Sequence, residues 1–460
     1  MTDRSLQLPV EDTIIPTIDW SVGMGARRLK AATILGTLWV GVAVLHLISW
    51  GYLLAWAIAS IFCLRALKLV STKVAPPPSF IPPQTYPFIS LAIAAKNEAA
   101  VITNLVESLC NLDYPADRYE VWAIDDNSTD RTPEILDKLA QKYPQLHVLH
   151  RTQRDIGGKS GALNQVLSLM QGDIIGVFDA DAQVAPDFLY QVLAYFQSET
   201  VGAIQLRKAI VNSETNFLTR GQRAEMALDA YIQQQRTSSG GIGELRGNGQ
   251  FVRRTALDGC DGWNEETITD DLDLTIRLHL TGWEIELMPY PPVGEEGVTT
   301  LKALWHQRNR WAEGGFQRYL DYWQAIASNR MGTKKTLDLL SFFSIQYLLP
   351  PAGIPDLLMA LWLKHPPLLL PMTASLGVAL PLWASWVGLR RSYQQANRQV
   401  SIATLFTQTA IGSLFILHWL IVMPLAIARM AIFPKQLKWV KTLRQADLRS
   451  TVKKNTHDPL

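Results

Sequence analysis

Several carboxylate pairs in this chain have a spacing that suits chemistry on a phosphorylated substrate. Asp179 and Asp181 stand at i and i+2, directly after the apolar run Asp173 to Phe178. Like charges so close repel unless water or a cation separates them, and a hard divalent cation takes such oxygen ligands and shares them with substrate phosphates. A second acidic turn reads Asp125, Asp126, Asn127, Ser128, Thr129, Asp130; a third reads Thr269, Asp270, Asp271, with Asp273 close behind. Alone, the second is what a helix N-cap needs. Capping accounts for one or two acids of the third and leaves another as a candidate general base. Lys159 lies in Gly157-Gly158-Lys159-Ser160-Gly161, which lacks the spacing of the G-x-x-x-x-G-K-[ST] loop but leaves a lysine able to reach an anionic leaving group. Gln307, Arg308, Asn309, Arg310 and Trp311 complete the set. An arginine fork and an indole either anchor a membrane interface or close over a phosphate and a stacked ring.

These residues need a scaffold that brings them together. Pro87 to Ala95, Tyr119 to Asp125, Leu146 to His150 and Asp173 to Phe178 read as strands, while Glu98 to Cys110, Arg131 to Lys142 and Gly161 to Leu169 carry helical apolar spacing. That alternation predicts a mostly parallel sheet covered on both faces, with ligands outside the carboxyl ends of its strands. The clusters Lys96-Asn97-Glu98, Asp125-Asp126 and Asp179-Asp181 all fall at such ends.

The chain is 48% apolar and only 18% charged, whereas soluble domains carry about 25% charged residues, so part of it belongs in lipid. A net charge of +2 gives no reason to expect a nucleic-acid partner, and nothing in the sequence implies an obligate protein partner. The 3 cysteines lie far apart, which excludes a disulfide framework and a Cys-based zinc site. Ala31 to Leu64 is free of charge, with Arg27, Arg28 and Lys30 before it and Arg65, Lys68 and Lys73 after it; both ends favour the cytoplasm, which requires two crossings. A second lipid region runs from Leu337 to Pro434. In it Leu339 to Leu363 is interrupted by Pro350, Pro351, Pro355 and Asp356, which allows its first half to lie along the interface, while His365 to Leu389 and Gln399 to Ala428 are charge-free. Lys435, Lys438, Lys441 and Arg444 follow. If that tail is cytoplasmic, the last stretch turns back or Leu339 to Leu363 does not cross; five spans is the central expectation, with four to six open. The expected division is a cytoplasmic segment 1–30, two transmembrane helices 31–70, a soluble domain 76–331 after the stiff spacer Ala75 to Pro83, interfacial and transmembrane helices 337–434, and a basic cytoplasmic tail 435–460.

In this order the motifs resemble those of the membrane-embedded family 2 glycosyltransferases. The family's P-A-x-N-E is matched by Ala94 to Glu98, with alanine for proline, and its D-D-x-S-x-D by Asp125 to Asp130. Its K-x-G-A-L-N is matched by Lys159 to Asn164, its D-x-D by Asp179 and Asp181, its T-E-D by Thr269 to Asp271 and its Q-x-x-R-W by Gln307, Arg310 and Trp311. Asp270 stands where the family usually has Glu. The resemblance implies an α/β GT-A nucleotide-sugar-binding domain inserted between N-terminal and C-terminal transmembrane helices of a multi-pass membrane protein. It further implies that Ala95, Asn97, Glu98, Asp125, Asp126, Lys159, Asp179, Gln307, Arg310 and Trp311 hold the donor, and that Asp179 and Asp181 hold Mg2+, or Mn2+ in its place. Asp271 would be the base, supported by Asp270, with inversion at the sugar; retention through a covalent intermediate is the lesser alternative. The stretches Gln205 to Asn264 and Gly314 to Arg318 look most like cyanobacterial members that move glucose from UDP-glucose to diacylglycerol. That likeness implies a cytoplasmic catalytic domain on the plasma or thylakoid membrane. The alternative is a processive β-glycan synthase using a UDP-sugar.

Overall fold

The computed structural model describes residues 19, 20 and 23–433. The expected basic tail and most of the expected N-terminal segment lie outside the described residues. Helices α1 (Arg27–Leu47) and α2 (Gly51–Ser71) lead into β1 (Ile89–Ala95), α3 (Ile102–Cys110), β2 (Tyr119–Asp125), α4 (Thr132–Lys142), β3 (Leu146–His150), α5 (Gly158–Leu167) and β4 (Ile174–Asp179). Next come α6 (Phe188–Phe196), β5 (Val201–Ile210), α7 (Phe217–Ser238), β6 (Gln250–Arg253), α8 (Arg254–Asp258), α9 (Asp270–Leu280), β7 (Glu284–Glu295), α10 (Leu301–Asp321) and α11 (Trp323–Ala327). The chain ends with α12 (Thr333–Phe343), a π-helical turn Ser344–Leu348, α13 (Leu349–Leu363), α14 (Leu370–Met372), a second π-helical turn Thr373–Ala379, α15 (Leu380–Gln395), α16 (Ile402–Ile416) and α17 (Trp419–Ile432).

The sheet order is β3-β2-β1-β4-β6-β5-β7. Strands β1 to β4 pair in parallel as the alternation predicts. The sheet is mostly parallel, as expected: β5 and β7 also pair in parallel, and among the described strands only β6 is reversed, running antiparallel to both β4 and β5. Its four residues, Gln250 to Arg253, are too few to print a strand pattern, and the glycine-rich link from Gly240 to Gly249 brings the chain back from α7 into the sheet. Residues along β1 are buried on both faces: Leu91, Ile93 and Ala95 join a core with Leu105 of α3 and Val192 of α6, and Ala92 joins one with Leu163 and Leu274. That two-sided burial stabilises the sheet by about 1.5–3 kcal/mol for each large side chain, and the parallel pairing of β1 to β4 brings their carboxyl ends, with the polar turns, to one edge. Helix α3 begins at Ile102 and not at Glu98, because Asn97 takes φ 58° and the amides of Glu98 and Ala99 are bound by Thr132 Oγ1 and Asp130 of the neighbouring turn. Helix α5 begins earlier than expected, at Gly158.

Five helical stretches are long and apolar enough to cross a membrane: Arg27–Leu47, Gly51–Ser71, Thr333–Leu363, Leu370–Gln395 and Ile402–Ile432. The prolines 350 and 351 do not break the third, since they fall at the start of α13, where the preceding π-helical turn absorbs the lost hydrogen bonds. Arg27, at the start of α1, pairs with Asp321 of α10 at 2.7 Å. At the other end of that helix His46 lies 2.8 Å from Asp356, whose carboxylate also accepts from the amide of Leu368. The third stretch therefore runs away from the α/β domain alongside α1, and the fourth comes back to it, where α15 packs on α7. The fifth is different. It breaks at Leu417–His418, and contacts with the domain recur along it: Leu405 packs on Ala224 and Ala227, Trp419 donates to Glu225 at 2.7 Å, and Arg429 pairs with Glu313 at 2.9 Å. A straight crossing helix, rising about 1.5 Å per residue, would leave the domain after a few turns.

Candidate active site

A cavity of about 1820 Å³ opens at the carboxyl edge of the sheet and extends among the apolar helices. Glu98, Lys159, Asp179, Asp181, Asp270 and Asp271 line it, as do Gln307, Arg310 and Trp311. The remaining expected donor contacts sit at the same sheet edge outside these walls. Asp125 accepts from Ser128 N–H and faces His150 at 3.2 Å; Asp126 accepts from Lys96 and Arg151; Ala95 offers its carbonyl to the Asp126 amide. Asn97 holds the second turn, its side chain accepting from Thr129 N–H at 2.7 Å.

Lys159 stands in the first turn of α5, entered through Gly157 at φ 86° and Gly158 at φ 55°, a backbone path that a side chain would strain. Its ammonium lies 2.8 Å from Asp179. Burial would lower its pKa, but Asp179, Asp270 and Asp271 outweigh that and hold it above the usual lysine range. Asp181 follows on the same strand end and accepts from the amide of Glu296 at 3.0 Å, and Glu296 itself has a buried carboxylate oxygen without a hydrogen-bond partner. This donor set is all oxygen, which fits a hard divalent cation. Among the described residues no group of three or more His, Cys, Asp or Glu forms a complete cage, so the other ligands would come from substrate phosphate and water.

Thr269 occupies the N-cap of α9, and Asp270 and Asp271 enter its first turn at the cavity wall. Asp273, one residue on, is turned into the core, where it pairs with Arg277 at 2.8 Å and accepts from Tyr322 and Asn264; it is a structural acid. Asp271 accepts only its neighbour's amide, that of Leu272, and burial, reinforced by Asp270 and opposed by Lys208, pushes its carboxyl up to about 6. A buried oxygen of Asp270 has no hydrogen-bond partner. The turn is hemmed in by glycines on two sides: a Cβ added at Gly247, itself at φ +82°, would lie 3.3 Å from the Asp271 carboxylate, and one added at Gly314 of α10 would run into Thr269.

Helix α10 carries the last motif. Arg308 is buried, pairs with Glu225 of α7, and places its guanidinium 4.1 Å from the centre of the Trp311 ring and 5.5 Å from that of Trp419. Glu225 thus joins α7, α10 and α17 through one carboxylate. On the same indole Lys208 of β5 sits 5.7 Å from the ring centre, paired with Glu295 at 3.0 Å. Sequence reasoning missed Lys208 altogether. Its one signal is a lysine beside Arg207 on a strand otherwise apolar at its start.

An acid pair, a lysine and a second carboxylate turn thus surround one cavity at the edge of an α/β sheet. Residues 90–260 match the family described as glycosyl transferase family 2. The β-monoglucosyldiacylglycerol synthase of a Nostoc species is 56% identical over 94% of this chain and 93% of its own. That of a Synechocystis species is 56% identical over 93% of this chain and 90% of its own. The chain belongs to glycosyltransferase family 2 and is a glycosyltransferase. The GT-A-like fold is shared with a mannosyltransferase from Pyrobaculum calidifontis, solved in complex with GDP-Man and Mn2+, at a TM-score of 0.51 and 20% identity over 89% of this chain and 100% of that one.

Proposed function

We propose that this enzyme moves glucose from UDP-glucose to the free hydroxyl of 1,2-diacylglycerol, with inversion, giving β-monoglucosyldiacylglycerol and UDP. The observation that carries this reading is one cavity that joins the Asp271 carboxylate and the Asp179–Asp181 pair to apolar walls on four membrane-type helices; the names of its relatives in Nostoc and Synechocystis agree with it. Asp271 removes the proton of the acceptor hydroxyl, that oxygen bonds to the anomeric carbon, and the bond from this carbon to the diphosphate oxygen breaks, its electron pair leaving with UDP. A carboxyl with a pKa near 6 is ionised at neutral pH yet basic enough to accept that proton. Asp179 and Asp181 are the residues that would hold a divalent cation, Mg2+ or Mn2+, whose charge stabilises the leaving diphosphate. Lys159 and Arg310 add fixed positive charge, and Trp311, flanked by Arg308 and Lys208, offers a flat wall. Asp125, Asp126, Ala95, Asn97 and Glu98 form the nucleotide end.

Residues 76–331 act as the catalytic unit on the cytoplasmic face. The reading includes four crossings, α1, α2, the Thr333–Leu363 stretch and the Leu370–Gln395 stretch, with α16 and α17 lying along the interface, and the contacts of α16 and α17 with the α/β domain support it. That arrangement returns the basic tail to the cytoplasm, as its charge favours. The test is purified protein with labelled UDP-glucose, Mg2+ and diacylglycerol in micelles, with product mass and anomeric NMR. One β-linked hexose on the lipid supports the reading. A growing ladder of products formed without diacylglycerol would replace it with the processive synthase.

A further inference from the structure

The cavity is larger than the roughly 300–1,000 Å³ that an ordinary small-molecule site occupies, so a nucleotide sugar leaves much of its 1820 Å³ unfilled. Away from the carboxylates its walls are Phe62 and Leu69 of α2, Ile345 and Tyr347 of the first π-helical turn, and Leu376 and Gly377 of the second. π-Helical turns are rare and recur at functional sites. Here both face the same space, and they are bridged by an apolar cluster of Leu349, Met372 and Leu376 with Ala59 of α2. On its outer side α2 exposes Leu53, Trp56, Ile61, Leu64 and Leu67, so one helix separates this space from lipid.

We infer that the two π-helical turns and α2 form the acyl-chain site of the acceptor, with the buried arginines 236 and 318 addressing its ester carbonyls. This rests on the diacylglycerol reading above. Between the apolar end and Asp271 the cavity wall carries Arg236, Arg246 and Arg318, gathered around Glu244. Asp338 pairs with Arg236 and Asp229 with Arg246, so three cations meet three anions and no net charge is left over. Arg236 and Arg318 nevertheless keep buried N–H groups without a hydrogen-bond partner. A charge-balanced cluster that still has guanidinium N–H groups to spare suits uncharged acceptors such as ester carbonyls. Gly247 adjoins both Arg246 and the Asp271 carboxylate, so a glycerol held here carries its hydroxyl toward that base.

Gly377→Trp tests the site. A Cβ added at 377 meets only Thr373, at 3.7 Å, and the position lines the cavity, so an indole there enters the channel. Gly353→Trp is the control, since position 353 on α13 has open space around it and is not part of the cavity wall. With the full-length protein in nanodiscs, Gly377→Trp should raise KM for dioleoylglycerol at least tenfold and for dioctanoylglycerol markedly less. UDP-glucose binding by calorimetry should be unchanged, Gly353→Trp should match the wild type, and phosphatidic acid should not compete. An unchanged KM for both acceptors in Gly377→Trp, an equal loss in Gly353→Trp, or strong competition by phosphatidic acid would overturn the inference while leaving the proposed reaction intact. A wild-type protein that makes no glucolipid from diacylglycerol would instead remove the reaction on which it rests.

Discussion

Lys159 and Asp179 form an ion pair of 2.8 Å at the mouth of the donor end of the cavity. The lysine therefore occupies one of the two carboxylates that would hold a cation, and it must exchange that partner for phosphate when the donor arrives. Lys159→Met should lower kcat by roughly 10²–10³, the usual cost of removing one preorganised charge donor. Calorimetric titration with Mn2+ alone should move the other way and show tighter binding, because the competing ammonium is gone. Weaker Mn2+ binding in the variant would mean that Asp179 is not part of the cation site.

Activity should require a divalent cation. Excess chelator should abolish transfer, Mg2+ or Mn2+ should restore it, and Asp181→Ala should abolish it whatever metal is added while inserting normally into membranes. Transfer by demonstrably metal-free protein would exclude Asp179 and Asp181 as cation ligands.

Asp271→Asn should lower kcat by roughly 10²–10⁴ with donor affinity retained. The raised carboxyl pKa has a definite sign: a base that titrates near 6 loses activity as pH falls through that value. The folded protein also binds this proton more tightly than the unfolded chain does, so ionised Asp271 works against stability above that pH. The amide should therefore leave the Tm at pH 7.5 equal or higher. Lys208→Met should shift the acid limb of the rate profile to higher pH, since Lys208 is the largest influence favouring the ionised form. An unmoved limb would separate Lys208 from the base.

Gly315 packs where an added Cβ would strike the Tyr347 hydroxyl, while its neighbour Gly314 faces Thr269. Gly315→Ala should cost about 1–3 kcal/mol by thermal unfolding in micelles, the usual range for overpacking. Adding Tyr347→Phe removes the colliding atom and should recover part of that loss. Gly314→Ala should cost activity more than stability, because it displaces the turn that carries Asp270 and Asp271.

Much of this site was legible in the sequence because its chemistry sits at strand ends. Asp179–Asp181 follows an apolar strand, Lys159 opens a helix and Asp270–Asp271 caps one, and all three meet at the cavity wall. What stayed hidden depends on residues distant in the chain. Arg308 looked like one more residue between Gln307 and Trp311, yet its partner is Glu225, 83 positions earlier. Lys208 gains its meaning from Glu295 and Trp311, and the antiparallel β6 from a glycine-rich return. For the apolar stretch from Gln399 to Ala428 the sequence left a crossing and a turn back both open, because hydropathy registers lipid contact on one face and cannot see that the other face rests on α7 and α10.

In the arrangement proposed above, α16 and α17, which pack on the two helices that carry Glu225 and the Gln307–Trp311 segment, hold the enzyme's working surface in the plane of the bilayer. Its kinetics should consequently be two-dimensional. The quantity that sets the rate is the mole fraction of acceptor in the membrane, and diluting diacylglycerol with inert lipid at constant total amount should slow the enzyme as surely as withholding the sugar donor from solution.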